Sequence, residues 1–417
     1  MELVTGQSPK RKPVVILGGG FGGVYTAQCL LSCRERFRRP DIILVSRSPY
    51  FEFKPLFIEV LGNRLTPELA RFRLKNIINS DAGSLKIATV QGIDGKRKVV
   101  ATDRGEIQFD HLVIALGGGS VPVPMTRQAT LFSLESVDEC IRLRERVDEL
   151  RQAARKSKGK LAKTQRTIAI IGAGPTGVEA AAEIANILRV DAGMESKHDI
   201  ILIETAKHIL PGWSRRLRRE SAAILRKYKV DVRTGTGVKR VAKSRIYLDN
   251  GMTLSAGTII WCGGLKGLPL YESIGAAIDK SGHLRVNAFL QLPGFERIFA
   301  MGDAISTKTF SAPVPQGAQA AYQQAKVVAH NILNATEEKR LRRFRYVELG
   351  EIVPVGGRRA LAQVLGVPLS GHLAWMFEKG IHIQRVPGWL NKIRLFNGLV
   401  LDPLAQRGEE YLQRKGR

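Results

Sequence analysis

Two short apolar runs, each broken by a glycine-rich turn and followed by a helical pattern, set the plan of this chain. Val14-Val-Ile-Leu17 reads as a strand buried on both faces, because no polar residue interrupts it. It runs into Gly18-x-Gly20-x-x-Gly23, and Val24-Tyr-Thr-Ala-Gln-Cys-Leu-Leu31 then carries helical periodicity. The same order returns at Ile168-Ala-Ile-Ile-Gly172-Ala-Gly174-Pro-Thr176-Gly177. In such a loop the first glycine makes the tight turn, the second admits a pyrophosphate, and the third lets the helix pack on the strand. Phe21 and Gly22 complete the first loop. Free N–H groups at the helix start then face phosphate charge. One such loop is weak evidence, since glycine turns also arise for structural reasons; two predict two dinucleotides.

Further apolar runs extend each module. Asp41 to Ser46 is the second strand of the first, and its end holds Ser46 followed by Arg47 where an acid ordinarily binds adenosine ribose hydroxyls. A serine makes one such bond without the charge. The aromatic stretch Pro49 to Phe57 follows, either as core or beside the reach of a bound ring system. Lys86 to Gly119 predicts hairpin strands turning at Asp103-Arg-Gly105, then a buried strand His111 to Ala115 ending in Leu116-Gly117-Gly-Gly119. In the second module Asp199 to Glu204 is the acid-ended strand, Arg245 to Gly251 a similar turn, and Thr258-Ile-Ile-Trp-Cys-Gly263-Gly264 the crossing strand. The chain therefore reads as an internal duplication of two Rossmann-like modules, an α/β fold. Glu204 favours NADH, because it repels a 2′-phosphate, while Lys207 leaves NADPH open.

Ser133 is the expected N-cap of a helix through Leu150, followed by a basic linker, Arg151 to Arg166. Gly294 to Ala304 predicts another strand, ending in Gly302-Asp303; the aspartate suits a ribityl hydroxyl or a phosphate-bound water, or else a turn. A helix from Val314 is expected to place Gln316, Gln319 and Gln323 on one face. Near the C-terminal end Trp389, Ile393, Phe396 and Val400 form one apolar stripe. That stripe suits a membrane interface, the protein's own core or a dimer contact.

Composition narrows the classes. With 417 residues, 44% hydrophobic, the chain predicts roughly two or three domains. An aromatic content of 6% argues against a base-stacking surface, and no apolar run reaches the about 18 residues of a membrane span. The polar lead Met1 to Lys12 does not read as a signal peptide, and the expected location is the cytosol or the cytoplasmic side of a membrane. Cys29, Cys33, Cys140 and Cys262 contain no Cys-x-x-Cys pair and no zinc pattern; Cys29 and Cys33 read as small core residues. A formal charge of +27 fits an anionic membrane surface or a solvated basic face, with concentrations at Arg151–Arg166, Arg215–Arg219 and Lys339–Arg345.

Taken together, the two glycine loops, Phe53-Lys54-Pro-Leu56, Ala115-Leu-Gly117, Val178-Glu179, Glu204, Ile260-Trp261, Phe299-Ala-Met-Gly-Asp303 and Ala318-Gln-x-Ala-x-Gln323 resemble the type II NADH:quinone oxidoreductases. The resemblance covers roughly Pro13 to Leu341 well and the rest loosely. It implies FAD across the first module, with pyrophosphate at Gly20–Gly23, the ribityl chain near Asp303, and Lys54 and Ala115 in the cofactor site. It implies NADH at Gly174–Gly177 with Glu204 on its ribose, Glu179 where nicotinamide meets flavin, and Gln319 and Gln323 lining a quinone pocket. Lys379 is a further flavin or quinone contact by the same resemblance, and the C-terminal region a peripheral, monotopic membrane anchor. The implied domains are 1–120 with 285–340 for FAD, 121–284 for NAD(P)H, and 341–417 for membrane association or dimer formation. Hydride transfer to flavin and two-electron reduction of a membrane quinone, without proton pumping, is the activity implied.

Three other readings compete. A demethylphylloquinone (naphthoquinone) reductase uses the same chemistry, and Phe53-Lys-Pro55 leans that way. A sulfide:quinone reductase requires redox cysteines beside the flavin, where only Cys140 and Cys262 are candidates. A redox-responsive nucleic-acid-binding flavoprotein is permitted by the charge, yet no helix-turn-helix or aromatic-basic platform supports it, so no nucleic acid is expected.

Overall fold

The computed structural model describes residues 13–33, 39–78, 80–121, 131–156, 162–190, 198–308, 310 and 314–401. The polar lead Met1 to Lys12 and part of the basic linker lie outside the described residues. Contacts group the chain into two compact units, one drawn from residues 1–51, 72–120 and 265–347, the other from 52–71, 121–264 and 348–417. These units follow packing, whereas the expected division follows ligands, so the two cut the chain at different points.

The first unit is built on a six-stranded sheet. Its strand order is Gln291–Leu292, Phe295–Ala300, His111–Ile114, Val14–Leu17, Ile42–Ser46 and Gly83–Ile87. All neighbours are parallel except the first pair. Val14–Leu17 lies at the centre with every residue buried, which is why its sequence is apolar without alternation. The helix Phe21–Leu31 leaves its C-terminal end directly. A three-stranded antiparallel sheet, Val90–Asp94, Val99–Thr102 and Gly105–Gln108, supplies the expected hairpin with its turn at Asp103-Arg104.

The second unit repeats the plan. Its parallel sheet runs Leu131–Phe132, Thr258–Trp261, Thr167–Ile171, Asp199–Ile203, Val230–Arg233. The helix Pro175–Val190 leaves the central strand, and a second antiparallel trio, Val238–Ala242, Arg245–Leu248 and Thr253–Ser255, packs on the sheet through Val241, Ile246 and Leu248. A third antiparallel sheet, Gly350–Pro354, Ala360–Val364 and Val367–Ser370, carries the helix Gly371–Arg385, whose Ala374 and Trp375 pack on Ala360 and Ala362. The short helix Trp389–Phe396 follows.

Three boundaries differ from expectation. The helix after the first crossing strand spans Val137–Lys156, not Ser133 to Leu150. Ser136 caps it, accepting the Glu139 N–H at 3.2 Å, while the Ser133 hydroxyl donates to the Glu139 carboxylate. The glutamine helix begins at Ala318, with Gly317 at φ 135° as its N-cap; this leaves Gln316 outside it. A left-handed glycine ends the preceding extended segment, and the helix period cannot start earlier. Cys33 lies beyond the end of its helix and Cys29 is half-buried, so neither is a core residue.

Candidate functional site

The two glycine loops are near-copies in geometry. A Cβ on Gly18 would stand 2.2 Å from the Ala115 carbonyl oxygen, and one on Gly172 would stand 2.5 Å from that of Cys262. Each loop thus touches the end of its own crossing strand. A Cβ on Gly23 would lie 1.9 Å from the Gly18 oxygen, and one on Gly177 would lie 1.8 Å from the Gly172 oxygen. These contacts demand glycine for packing alone. Gly20 and Gly174 are different: a Cβ at either meets nothing within 4 Å. Packing does not require glycine at these two positions, and the open space beside each backbone admits a ligand. Neither following helix has an acid in its first turn, and Gly20 caps the first without a side-chain bond. Backbone N–H groups therefore present a positive end to each open loop. The residues fit a bound pyrophosphate in both modules.

Around the first loop the expected residues converge unevenly. Ser46 lies against it, since a Cβ on Gly19 would come 2.5 Å from the Ser46 Oγ. That hydroxyl donates to the Ser48 carbonyl at 2.7 Å. Arg47 is exposed. Phe21 meets Phe51 edge-on, with ring centroids 5.1 Å apart, and Phe51 and Phe53 are both fully buried, so the aromatic stretch is core. Lys54 is exposed and belongs to the other unit. At the end of the strand Phe295–Ala300, a turn of 3₁₀ helix holds Gly302 and Asp303. One Asp303 oxygen accepts the Gly317 N–H at 2.9 Å, which ties this turn to the start of the glutamine helix.

Two residues that sequence reasoning passed over hold this region. The buried Gln324 accepts the Gly302 N–H at 2.6 Å. The fully buried Tyr271 donates to the Gly117 carbonyl at 2.6 Å, and burial pushes its phenol pKa up, with Asp303 adding to the shift. The glutamines expected on one helical face separate. Gln316 bonds the His283 ring at 3.1 Å, whereas Gln323 makes a reciprocal pair with Val347, donating to its carbonyl at 2.8 Å and accepting its N–H at 3.0 Å. A backbone segment thus occupies the Gln323 amide on both sides. Gln319 is half-buried on the same helix.

In the second module the Glu204 carboxylate accepts the Ala173 N–H at 2.6 Å and the Ala206 N–H at 2.8 Å. These two bonds fix it against the second loop. Thr176 is exposed in the first helical turn, and a Cβ on Gly263 would stand 2.7 Å from the Trp261 ring.

Glu179, one turn into the Pro175–Val190 helix, leads to a buried charge cluster within the same unit. Its pKa is raised to about 8, chiefly by loss of solvent and by the negative charge of Glu378, with Lys379 opposing. Glu183, one turn further, receives both Arg64 Nη atoms at 2.6 and 2.9 Å and the Gly357 N–H at 3.0 Å. Arg64 Nε reaches Glu59 at 2.5 Å. Glu59 also takes the Trp375 indole N–H at 3.0 Å and the Lys379 ammonium at 2.7 Å. Lys379 reaches Glu378 at 3.1 Å and lies 5.6 Å from the Trp375 ring centre. Burial alone would raise the Glu59 pKa; the two cations overcome it and hold the carboxyl at about 2. Lys379, the expected flavin or quinone contact, is only 3% exposed and pairs with Glu59 and Glu378. A cavity of about 290 Å³, lined in part by Arg64, Glu183, Asn186 and Arg144, opens beside this cluster.

Cys140 and Cys262 are free thiols whose pKa burial raises, that of Cys262 to about 12, so neither is a ready thiolate. Among the described residues no group of His, Cys, Asp and Glu is arranged to hold a metal, and no helix is long and apolar enough to cross a membrane.

Comparison with known proteins supports this geometry. The family model for pyridine nucleotide-disulphide oxidoreductases matches residues 12–325. The demethylphylloquinone reductase NdbB of Synechocystis sp. is 30% identical over 409 residues, 95% of this chain and 97% of that protein. The type II NADH:quinone oxidoreductase Ndh of Mycobacterium tuberculosis is 28% identical over 93% of this chain and 87% of its own length. Among solved structures, NDH2 from Plasmodium falciparum in complex with NADH superposes with a TM-score of 0.81 at 18% identity, over 94% of this chain and 98% of that one.

Proposed function

The chain belongs to the pyridine nucleotide-disulphide oxidoreductase family, within the type II NADH:quinone oxidoreductases, and on that premise we propose that it passes electrons from NADH to a membrane quinone. The observation that carries this reading is the pair of open glycines, Gly20 and Gly174, in two loops otherwise closed by packing. When bound, FAD supplies hydride acceptance and two-electron donation. The first loop binds its pyrophosphate, Asp303 and Gly302 stand at the end of a neighbouring strand for the ribityl chain, and Ser46 and Ala115 border the loop. The second loop binds NADH, and the fixed Glu204 carboxylate selects against a 2′-phosphate. Glu179 presents a carboxyl that keeps its proton at neutral pH, and Gln319 lines the acceptor side. Gln323 positions the segment at Val347 rather than holding a carbonyl.

Leu373, Met376 and Phe377 of one helix and Trp389, Leu390, Ile393 and Phe396 of the next are exposed in one unit. They form the apolar contact of a peripheral membrane protein, and the +27 charge favours the anionic cytoplasmic leaflet. The 30% identity to the Synechocystis reductase favours a naphthoquinone as a second candidate acceptor. A stopped-flow flavin spectrum tests the reading. Bleaching by NADH followed by recovery with a short-chain quinone is expected; bleaching without quinone-dependent recovery would remove the quinone as acceptor. Comparing benzoquinone and naphthoquinone recovery rates then separates the two acceptors.

A further inference from the structure

The basic run Lys339–Arg345, which in sequence suits either a membrane surface or a solvated face, is held in one fixed path. Lys339, Arg340, Arg342, Arg343 and Arg345 are all exposed. The run follows the helix Ala318–Thr336 within the first unit, and two asparagines of that helix bind its backbone. Asn331, fully buried, donates to the Arg342 carbonyl at 2.9 Å and accepts the Arg342 N–H at 2.7 Å; it also donates to the Phe289 carbonyl at 3.1 Å. Asn334 donates to the Arg340 carbonyl at 2.8 Å. The Phe344 N–H donates to the Ala288 carbonyl at 2.8 Å, and its buried ring meets Phe310 edge-on. A buried amide is costly unless bonded, and two of the three Asn331 bonds go to this run. The charges it holds in place are mostly unmatched. Lys339 pairs with Glu337 at 2.7 Å, whereas Arg340, Arg342, Arg343 and Arg345 pair with no acid among the described residues. Arg343 lies 5.8 Å from the Phe289 ring centre, a contact that leaves its charge in place. Guanidinium groups this close in the chain repel one another, and an external anion relieves that repulsion. A solvated run needs no fixed path; a pinned one meets a ligand without an ordering cost.

Resting on the membrane reading proposed above, we propose that the strip Lys339–Arg345 is where this protein binds anionic phospholipid headgroups. Phosphate oxygens accept from guanidinium N–H groups, and the headgroups bring the negative charge that the strip lacks within the chain. Lipid suits the strip better than nucleic acid does, because unpaired bases bind on aromatic platforms. Here Phe344 is buried and Tyr346 half-buried. The apolar side chains of the two C-terminal helices gain from burial in any bilayer, whatever its headgroups. The strip therefore sets the preference for anionic lipid, and the apolar face supplies the insertion.

The test is flotation of the flavin-loaded full chain with vesicles of phosphatidylglycerol mixed with phosphatidylcholine, and with vesicles of phosphatidylcholine alone. Two charge-matched variants are compared with the wild type. The strip variant combines Arg340→Gln, Arg342→Gln and Arg345→Gln. The control combines Arg215→Gln, Arg219→Gln and Arg226→Gln on the helix Arg215–Lys227. Each removes three exposed cations that pair with no acid among the described residues, so both should melt like the wild type. One arginine beside an anionic surface is worth about fivefold in binding. The strip variant should therefore bind the anionic vesicles about a hundredfold more weakly. It should keep the wild-type affinity for phosphatidylcholine and the wild-type rate with a short-chain quinone. The control should stay within about threefold of the wild type on both vesicles. Equal binding of the two variants to anionic vesicles overturns the strip, because charge spread over the whole surface then accounts for the preference. Tighter binding of the wild type to a single-stranded oligonucleotide than to anionic vesicles at the same salt, lost in the strip variant, overturns lipid as the partner. Failure of the wild type to pass electrons to any quinone overturns the functional reading instead, while the flotation series still reports on the strip.

Discussion

At the residue scale, the loops separate glycines required by packing from glycines whose Cβ position is left open. Gly23 and Gly177 have no room for a Cβ, whereas Gly20 and Gly174 have open space. Gly174→Ala is therefore expected to fold and melt like the wild type, keep its flavin, and raise the KM for NADH about tenfold or more, because a methyl enters the path of the pyrophosphate. Steady-state kinetics beside a thermal melt checks this; an unchanged KM would detach the second loop from NADH. Gln323 gives the opposite lesson. Spacing placed it on a shared face with Gln316 and Gln319, yet its amide is paired on both sides with Val347. Because Val347 is exposed, water replaces the lost partners, and Gln323→Leu should cost only about 1 kcal/mol. Both half-reactions should slow to a similar, small degree in stopped flow. A selective loss of the quinone step would return Gln323 to the acceptor site.

At the element scale, the Pro175–Val190 helix places two carboxyls in different surroundings on one stripe. Glu179 and Glu183 are four residues apart and share a face. Burial pushes the Glu179 carboxyl pKa up, while Glu183 anchors Arg64. The depressed Glu59 carboxyl couples this arrangement to acid stability. Its folded value, about 2, lies below the ordinary 4.5, so ionised Glu59 contributes stability fully above about pH 4.5 and progressively loses it as pH falls toward 2. Glu59→Ala leaves Arg64 facing Glu183 alone and strips Lys379 of its shortest partner. It is expected to destabilise the protein by about 3–5 kcal/mol near neutrality and to remove most of the acid limb from a urea-unfolding series between pH 5 and 2. A wild-type acid limb in the variant would show that Glu59 does not govern it. These helices and strands were legible in the sequence wherever the period was clean, as in Val14–Leu17 and Thr167–Ile171. Ser136 was missed as a cap because Ser133 also precedes an apolar pattern, and only the backbone path decides between them.

At the scale of the whole molecule, charge and apolar surface act together. In the proposed membrane contact, the net +27 would attract an anionic bilayer over a distance that salt shortens, while Trp389, Leu390, Ile393 and Phe396 would add contact that salt leaves intact. Vesicles rich in anionic lipid should bind the protein more tightly than neutral ones, and raised salt should narrow that difference. Ile393→Glu with Trp389→Glu should weaken binding to both vesicle types about tenfold or more, without altering flavin bleaching by NADH. Flotation through a density gradient measures each case. Equal flotation of the variant and the wild type would remove this face from the membrane.

The sequence by itself determined the duplicated strand–loop–helix plan, because glycine spacing and unbroken apolar runs are local properties that survive in one dimension. It also placed the carboxylate of Glu204 at a strand end, where the fold repeats a known geometry. Only the tertiary structure decided what the side chains do with one another. Glu59 and Arg64 come from one stretch and Glu183 and Lys379 from two others; they share no period and look like ordinary surface charges in sequence. Chain folding buries them together, and burial turns their mutual distances into charge balance and proton affinity.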